Sequence, residues 1–70
     1  LDTPVRELLT FATIAAMGGC EPQVKAHAGG NLLVGNTRAM LLDTLVVLVP
    51  YIGFPKTLNA LSMVNEVSKS

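Results

Sequence analysis

Four segments of the chain carry apolar residues at helical spacing, and residues that start or stop helices separate them. The first segment follows Asp2, and we expect Thr3 to be its N-cap and Pro4 to lie in its first turn. Its apolar residues lie three or four positions apart, on two sides of the helix. They are Val5, Leu8, Leu9, Ala12, Ala15 and Ala16 on one side, and Phe11 and Ile14 on the other. The pattern predicts a helix that is covered on both faces and ends at Gly18 and Gly19.

The second segment begins at Pro22 and ends at Gly35 and Asn36. Its apolar positions are Val24, Ala28 and Leu32. Two glycines, Gly29 and Gly30, lie inside it, although each costs up to ~1 kcal/mol relative to alanine in a helix. We therefore expect this glycine pair to let another backbone approach closely.

The third and fourth segments complete the pattern. Thr37 is the expected cap of the third, which is apolar nearly all round over residues 40–49, as is typical of a central helix. Pro50 should kink or end it. After a tight corner at residues 51–55, the fourth segment places its apolar residues on one stripe, formed by Leu58, Leu61, Val64 and Val67. The sequence thus predicts a single all-α domain of about four helices over residues 1–70, which, lacking an initial Met, could be part of a longer chain.

The composition adds an expectation of self-association. Half of the 70 residues are hydrophobic and only 14% are charged, which is more apolar surface than so small a domain can bury alone. Disulfides, metals and oligomerisation are the usual remedies. One cysteine excludes an internal disulfide, and one cysteine with one histidine cannot complete a structural zinc site. We expect a homo-oligomer that associates through apolar helix faces and has no metal site.

The charges limit the range of partners and locations. Five basic and five acidic residues balance, so no field draws nucleic acid or an anionic membrane. The longest apolar run, residues 45–50, is far shorter than the ~20 residues of a membrane helix. No basic-then-apolar signal segment opens the sequence. These features predict a cytoplasmic protein that binds neither nucleic acid nor membrane.

Three residues could carry chemistry. Cys20 and His27 share a helix face with Gln23, and the start of a helix favours a thiolate at Cys20. The His27 imidazole could take the proton of that thiol or transfer one to a substrate. The alternative is that Cys20 is a small buried hydrophobe and His27 a satisfied core residue. Glu7, which we place in the first turn of helix one, is either a surface residue or points toward helix two.

The order of these residues resembles the carboxymuconolactone decarboxylase family, which shares its fold with alkylhydroperoxidase D-like proteins. The resemblance spans nearly the whole chain. It rests on Arg6-Glu7-Leu8, Gly18-Gly19-Cys20-Glu21-Pro22-Gln23, His27, Gly35-Asn36-Thr37-Arg38 and Tyr51-Ile52-Gly53-Phe54-Pro55. It implies an all-helical fold that assembles as a trimer or hexamer, and it implies Glu7, Cys20 and His27 as the catalytic residues.

The resemblance implies two chemistries. One is decarboxylation of a lactone acid without a cofactor, in which His27 would supply a proton. The other is thiol-dependent peroxide reduction through a C-x-x-C-x-x-x-H motif, in which Cys20 and His27 occupy the first and last positions. Gln23 stands at the second cysteine position and cannot form a disulfide, so Cys20 would need an external thiol. We therefore favour a decarboxylase of a small lactone or carboxylic acid, with a one-cysteine peroxidase or a non-catalytic half of a tandem protein as alternatives.

Overall fold

The computed structural model describes residues 1–68, which form four α-helices and, within that range, no strand. The helices are α1 (Thr3–Met17), α2 (Glu21–Leu33), α3 (Arg38–Ile52) and α4 (Phe54–Val67). The predicted all-α fold is confirmed. None of the helices in the described part combines the length and the apolar character that a membrane crossing requires.

Side chains cap two of the helices. Asp2, and not Thr3, is the N-cap of α1, and its Oδ1 accepts a hydrogen bond from the Val5 backbone N–H at 3.1 Å. The sequence prediction is one residue late because Asp and Thr are both good caps and stand next to each other. Thr37 caps α3 as predicted, accepting from the Met40 N–H at 3.1 Å.

Gly53 separates α3 from α4. Its φ of 82° lies in the left-handed region, which a residue with a side chain rarely adopts, and its N–H donates to the Val49 carbonyl at 2.9 Å. Pro55 then lies in the first turn of α4, as predicted. Pro50 does not end α3, because the helix continues for two more residues to Ile52.

The core is small and takes two residues from each helix. Helix α2 packs against α1 and α4, while α3 packs mainly against α4. Side chains from all four helices meet between them and are almost completely buried. They are Phe11 and Ala15, Val24 and Ala28, Leu41 and Leu45, and Ala60 and Val64.

Several predictions of the buried faces are wrong. Val5, Leu9 and Leu58 are predicted to pack but are 42%, 52% and 55% exposed. Helix α3 is not central within this chain, since Val46 and Val47 are 69% and 65% exposed. In α4 the buried stripe is turned by about one residue from Leu58. Helices α1 and α3 share another physical reason. A helix that is apolar on several sides has no polar face to show which side meets its neighbours, so its pattern does not fix the buried stripe.

Candidate active site

Glu7 and His27 meet where α1 crosses α2. His27 Nδ1 lies 3.1 Å from Glu7 Oε1, and the two side chains are 40% and 25% exposed. Glu7 is in the second turn of α1 and not in its first turn, because the helix begins at Thr3. At that height its side chain points toward α2. The pair is therefore partly shielded from water.

The contact determines which imidazole nitrogen carries the proton. An ionised carboxylate only accepts hydrogen bonds, so His27 Nδ1 is the donor and must be protonated. Nε2 makes no hydrogen bond to any other residue in the range 1–68. The pair thus holds the ring by one nitrogen and leaves the other available for a proton transfer, which is the arrangement that makes histidine a general acid or base.

Asn31 ties the backbones of both residues together. Its side chain is fully buried, and its Nδ2 donates to the Glu7 carbonyl at 3.0 Å and to the His27 carbonyl at 2.7 Å. One amide group therefore joins α1 to α2 at the height of the Glu7–His27 pair. Both of its N–H donors are used in this link.

Asn36 completes the network from the loop after α2. Its Nδ2 donates to Asn31 Oδ1 and to the Pro4 carbonyl, both at 2.8 Å. Among the described residues, no buried side-chain nitrogen or oxygen lacks a hydrogen-bond partner. Because a buried amide without partners costs about 1–3 kcal/mol, this complete set of bonds holds Asn31 in one orientation.

Gly30 lies directly beneath the Glu7 carboxylate. A Cβ atom at Gly30 would come within 2.7 Å of Glu7 Oε1, closer than a carbon and an oxygen can approach. At Gly29, the preceding residue, an added Cβ would lie 4.0 Å from Val67 Cγ1, which is an ordinary contact. The predicted approach of another backbone at this glycine pair is wrong. Side chains approach instead, and only at Gly30 is the space essential.

Cys20 lies apart from this pair. It is the N-cap residue of α2, its side chain makes no cap hydrogen bond, and it is partly buried. It lines a cavity of about 10 Å³ that also touches Gly18, Lys56 and Asn59. Seven residues of helix separate it from His27, which corresponds to about 10 Å along the axis. The structure brings Glu7 and His27 together and leaves Cys20 nearly two turns away.

The second cysteine position and the metal-ligating residue types were also located in the structure. Gln23, at the second cysteine position, is exposed. Within residues 1–68 no three His, Cys, Asp or Glu side chains gather closely enough to hold a metal ion.

A second concavity lies between α3 and α4. It encloses about 230 Å³ and is lined almost entirely by apolar side chains, which are Leu42, Leu45, Val46, Val49, Phe54, Leu58 and Leu61, together with Thr57. Tyr51 and Phe54 beside it are 82% and 65% exposed. We call this surface the α3–α4 groove. It contains no titratable group, so it offers contact area and no acid–base chemistry.

Gly30, Asn31 and Asn36 are not predicted from the sequence as parts of the site. Asn31 leaves a signal nonetheless, since it follows Val24 and Ala28 at i+7 and i+3 and so places an amide on the apolar stripe of α2. A buried amide at such a position requires partners on the facing helix. Asn36 follows Gly35 in a turn and has no comparable signal.

Comparison with known proteins identifies one match. A sequence model described as the carboxymuconolactone decarboxylase family matches residues 1–66, which include α1 to α3 and all but the last residue of α4. No curated protein and no solved structure matches the chain significantly.

Proposed function

The chain belongs to the carboxymuconolactone decarboxylase family, and from this premise we propose that it decarboxylates a small lactone or carboxylic acid without a cofactor. The fold of the family is all-α and alkylhydroperoxidase D-like. The single observation that carries the proposal is the Glu7–His27 contact at 3.1 Å, which leaves Nε2 free for substrate.

The proposed step begins with His27 as the imidazolium. The bond between the substrate carboxylate and its neighbouring carbon breaks, CO₂ leaves, and the electron pair of that bond is delocalised into an adjacent carbonyl group. His27 Nε2–H then gives its proton to the carbon, and the neutral ring later regains a proton from water. Throughout, Nδ1–H remains hydrogen-bonded to Glu7 Oε1, so the carboxylate holds the ring in place.

The contribution of Glu7 is geometric. Glu7 Oε1 accepts from Nδ1–H and so leaves Nε2–H as the proton donor in this step. Because the pair is only partly buried, the ring keeps some contact with water, and its neutral form can be reprotonated after each turnover. The role assigned to Glu7 is therefore to orient His27, while His27 is the group that touches the substrate.

Replacing His27 tests this assignment. His27→Gln removes the proton donor but keeps a hydrogen-bonding side chain, and we expect the rate of CO₂ release from a lactone acid to fall by about 10²–10⁴-fold. Sedimentation should show the same oligomer for both forms. A variant that keeps the wild-type rate would contradict the proposal.

Cys20→Ser is the matched control, and it also addresses the thiol alternative. In the decarboxylase the thiol takes no part, so the variant should keep its rate within about twofold. If the wild-type chain reduced a hydroperoxide but released no CO₂ from a lactone acid, and Cys20→Ser lost the hydroperoxide activity, a one-cysteine peroxidase would be the better assignment. Lack of turnover by the wild-type chain in both assays would favour a non-catalytic half of a tandem protein.

We also propose that the chain assembles as a trimer or hexamer through the α3–α4 groove. Its exposed side chains include Val46, Phe54 and Leu58, which are 69%, 65% and 55% exposed in the single chain. Covering apolar surface of this kind stabilises an assembly by about 25 cal/mol for each Å² removed from water. A cytoplasmic location, and binding of neither nucleic acid nor membrane, remain predictions from the sequence.

A further inference from the structure

We infer that Gly30 is a positioning residue of the site: its missing side chain makes the space in which the Glu7 carboxylate reaches His27 Nδ1. The inference rests on the proposed function, since it explains how the proton-transferring imidazole is held. It begins from one distance. The Cβ of an alanine at position 30 would lie 2.7 Å from Glu7 Oε1 and 3.6 Å from its Cδ.

An alanine at position 30 would displace Glu7 Oε1. Oε1 is the oxygen that accepts from His27 Nδ1. A methyl group at position 30 would therefore not clash with an arbitrary part of Glu7 but with the oxygen in the hydrogen bond. The glycine and the hydrogen bond occupy the same small region of the α1–α2 contact.

The displacement has little consequence for the fold. The Glu7 carboxylate is the end of a flexible side chain that is 25% exposed, so it can rotate toward water. The backbone of α1 cannot follow it easily, because the Glu7 carbonyl is bonded to buried Asn31. An alanine also has a better helix propensity than glycine. The expected result is a folded protein in which the carboxylate has left the imidazole.

Gly29 provides a matched control in the same helix. An alanine there gains the same helix propensity, and its Cβ would meet only Val67 Cγ1 at 4.0 Å. It does not touch Glu7 or His27. Comparing Gly30→Ala with Gly29→Ala therefore separates loss of the Glu7 position from any general effect of an alanine in α2.

The test reads the protonation of the ring directly. His27 is the only histidine, so a protein labelled with ¹⁵N-histidine shows a single imidazole. At about pH 9 imidazole is neutral, and its ¹⁵N shifts report which nitrogen carries the proton. Wild type and Gly29→Ala should show the proton on Nδ1. In Gly30→Ala the ring is released from the carboxylate, and we expect a mixture of the two tautomers.

Activity provides the second measurement. With a lactone acid as substrate, Gly30→Ala should lower kcat by about 10–100-fold and leave KM nearly unchanged, because a misplaced proton donor affects the reaction more than binding. Glu7→Gln should reproduce both the tautomer mixture and the fall in kcat.

The outcomes separate the two levels of the proposal. An unchanged tautomer in Gly30→Ala overturns the inference, whatever the activity. The same mixture in Gly29→Ala also overturns it, since the effect would then not depend on Glu7. A tautomer change confined to Gly30→Ala supports the positioning role even if no lactone acid is turned over, and in that case the decarboxylase assignment alone fails.

Discussion

The α1–α2 contact is formed largely by hydrogen-bonded polar groups, whereas the α3–α4 contact is formed largely by apolar side chains. At the first, Glu7 meets His27 and the buried Asn31 amide joins the two backbones. At the second, apolar side chains line an open groove, and the side-chain hydrogen bonds between the helices come from Arg38 at the exposed surface. The first contact is directional and fully satisfied within the described residues. The second provides apolar contact area, which has no directional preference of its own.

This difference indicates a division of tasks within a small chain. Hydrogen bonds fix positions to fractions of an ångström, which proton transfer requires. Apolar contact stabilises an assembly but tolerates small shifts of the partner. The α1–α2 contact is therefore suited to hold a reacting group, and the α3–α4 groove is suited to hold another subunit.

The largest effect on stability is expected at the buried amide. Asn31→Leu removes the donor to two carbonyls and the acceptor of Asn36, and it should lower the free energy of unfolding by about 2–3 kcal/mol. Urea denaturation measures this loss. Asn65→Ala is the control, because Asn65 accepts one exposed hydrogen bond from Arg38. This variant should lower the free energy of unfolding by about 0.5 kcal/mol. Equal losses in the two variants would show that the buried α1–α2 hydrogen bonds contribute no more to stability than one exposed hydrogen bond.

A charge in the groove should act on assembly and not on the fold. Val46 lines the groove and is 69% exposed, so Val46→Lys should leave the isolated chain folded. We expect the association constant to fall at least about a hundredfold, equivalent to about 2.7 kcal/mol, because a lysine would have to be desolvated in an apolar contact.

Sedimentation velocity at micromolar concentration measures this change in assembly. Gln23→Lys, at an exposed position of α2, adds the same charge elsewhere and should leave the oligomer intact. A wild-type monomer would refute the proposed assembly. An oligomer that survives Val46→Lys would move the interface away from the groove.

The smallest effect is expected at the exposed ion pair between α2 and α4. Lys25 Nζ of α2 lies 3.7 Å from Glu66 Oε1 of α4, and the side chains are 51% and 43% exposed. Solvent screens such a pair, so Lys25→Ala should change the free energy of unfolding by less than about 0.5 kcal/mol, and less still in high salt. A loss above about 1 kcal/mol would mean that exposed charges contribute substantially to the contact between α2 and α4.

The helix ends are predictable from the sequence to within about one residue. The buried faces are predictable only in part, although Val24, Ala28 and Val64 are buried as predicted. Pro22 and Pro55 mark helix starts, and Gly53 marks a helix end, because each has a local backbone reason to be there. Burial is not local in that sense. Leu58 and Phe11 are both large and apolar, yet Leu58 is 55% exposed and Phe11 is fully buried. Only the neighbouring helices decide between them.

The candidate site is likewise predictable only in part. Glu7 and His27 can be proposed from the family resemblance, but their contact depends on how α1 crosses α2, and residue types do not give that crossing. Residue type does not distinguish Gly30 from Gly29, since both are glycines in the interior of one helix, although Gly30 shares the face of His27 at i+3. The difference between them appears only when the Glu7 carboxylate is in place.

Position 30 consequently links two sites that could otherwise vary independently in evolution. A chain that has lost the acidic residue at position 7 can replace Gly30 by alanine and gain helix stability, with no function lost in exchange. A chain that keeps Glu7 in contact with His27 must keep the glycine, although it weakens the helix. Among chains with this helix pair, the two positions should therefore change together, and glycine at position 30 becomes a sequence marker of the intact Glu–His pair.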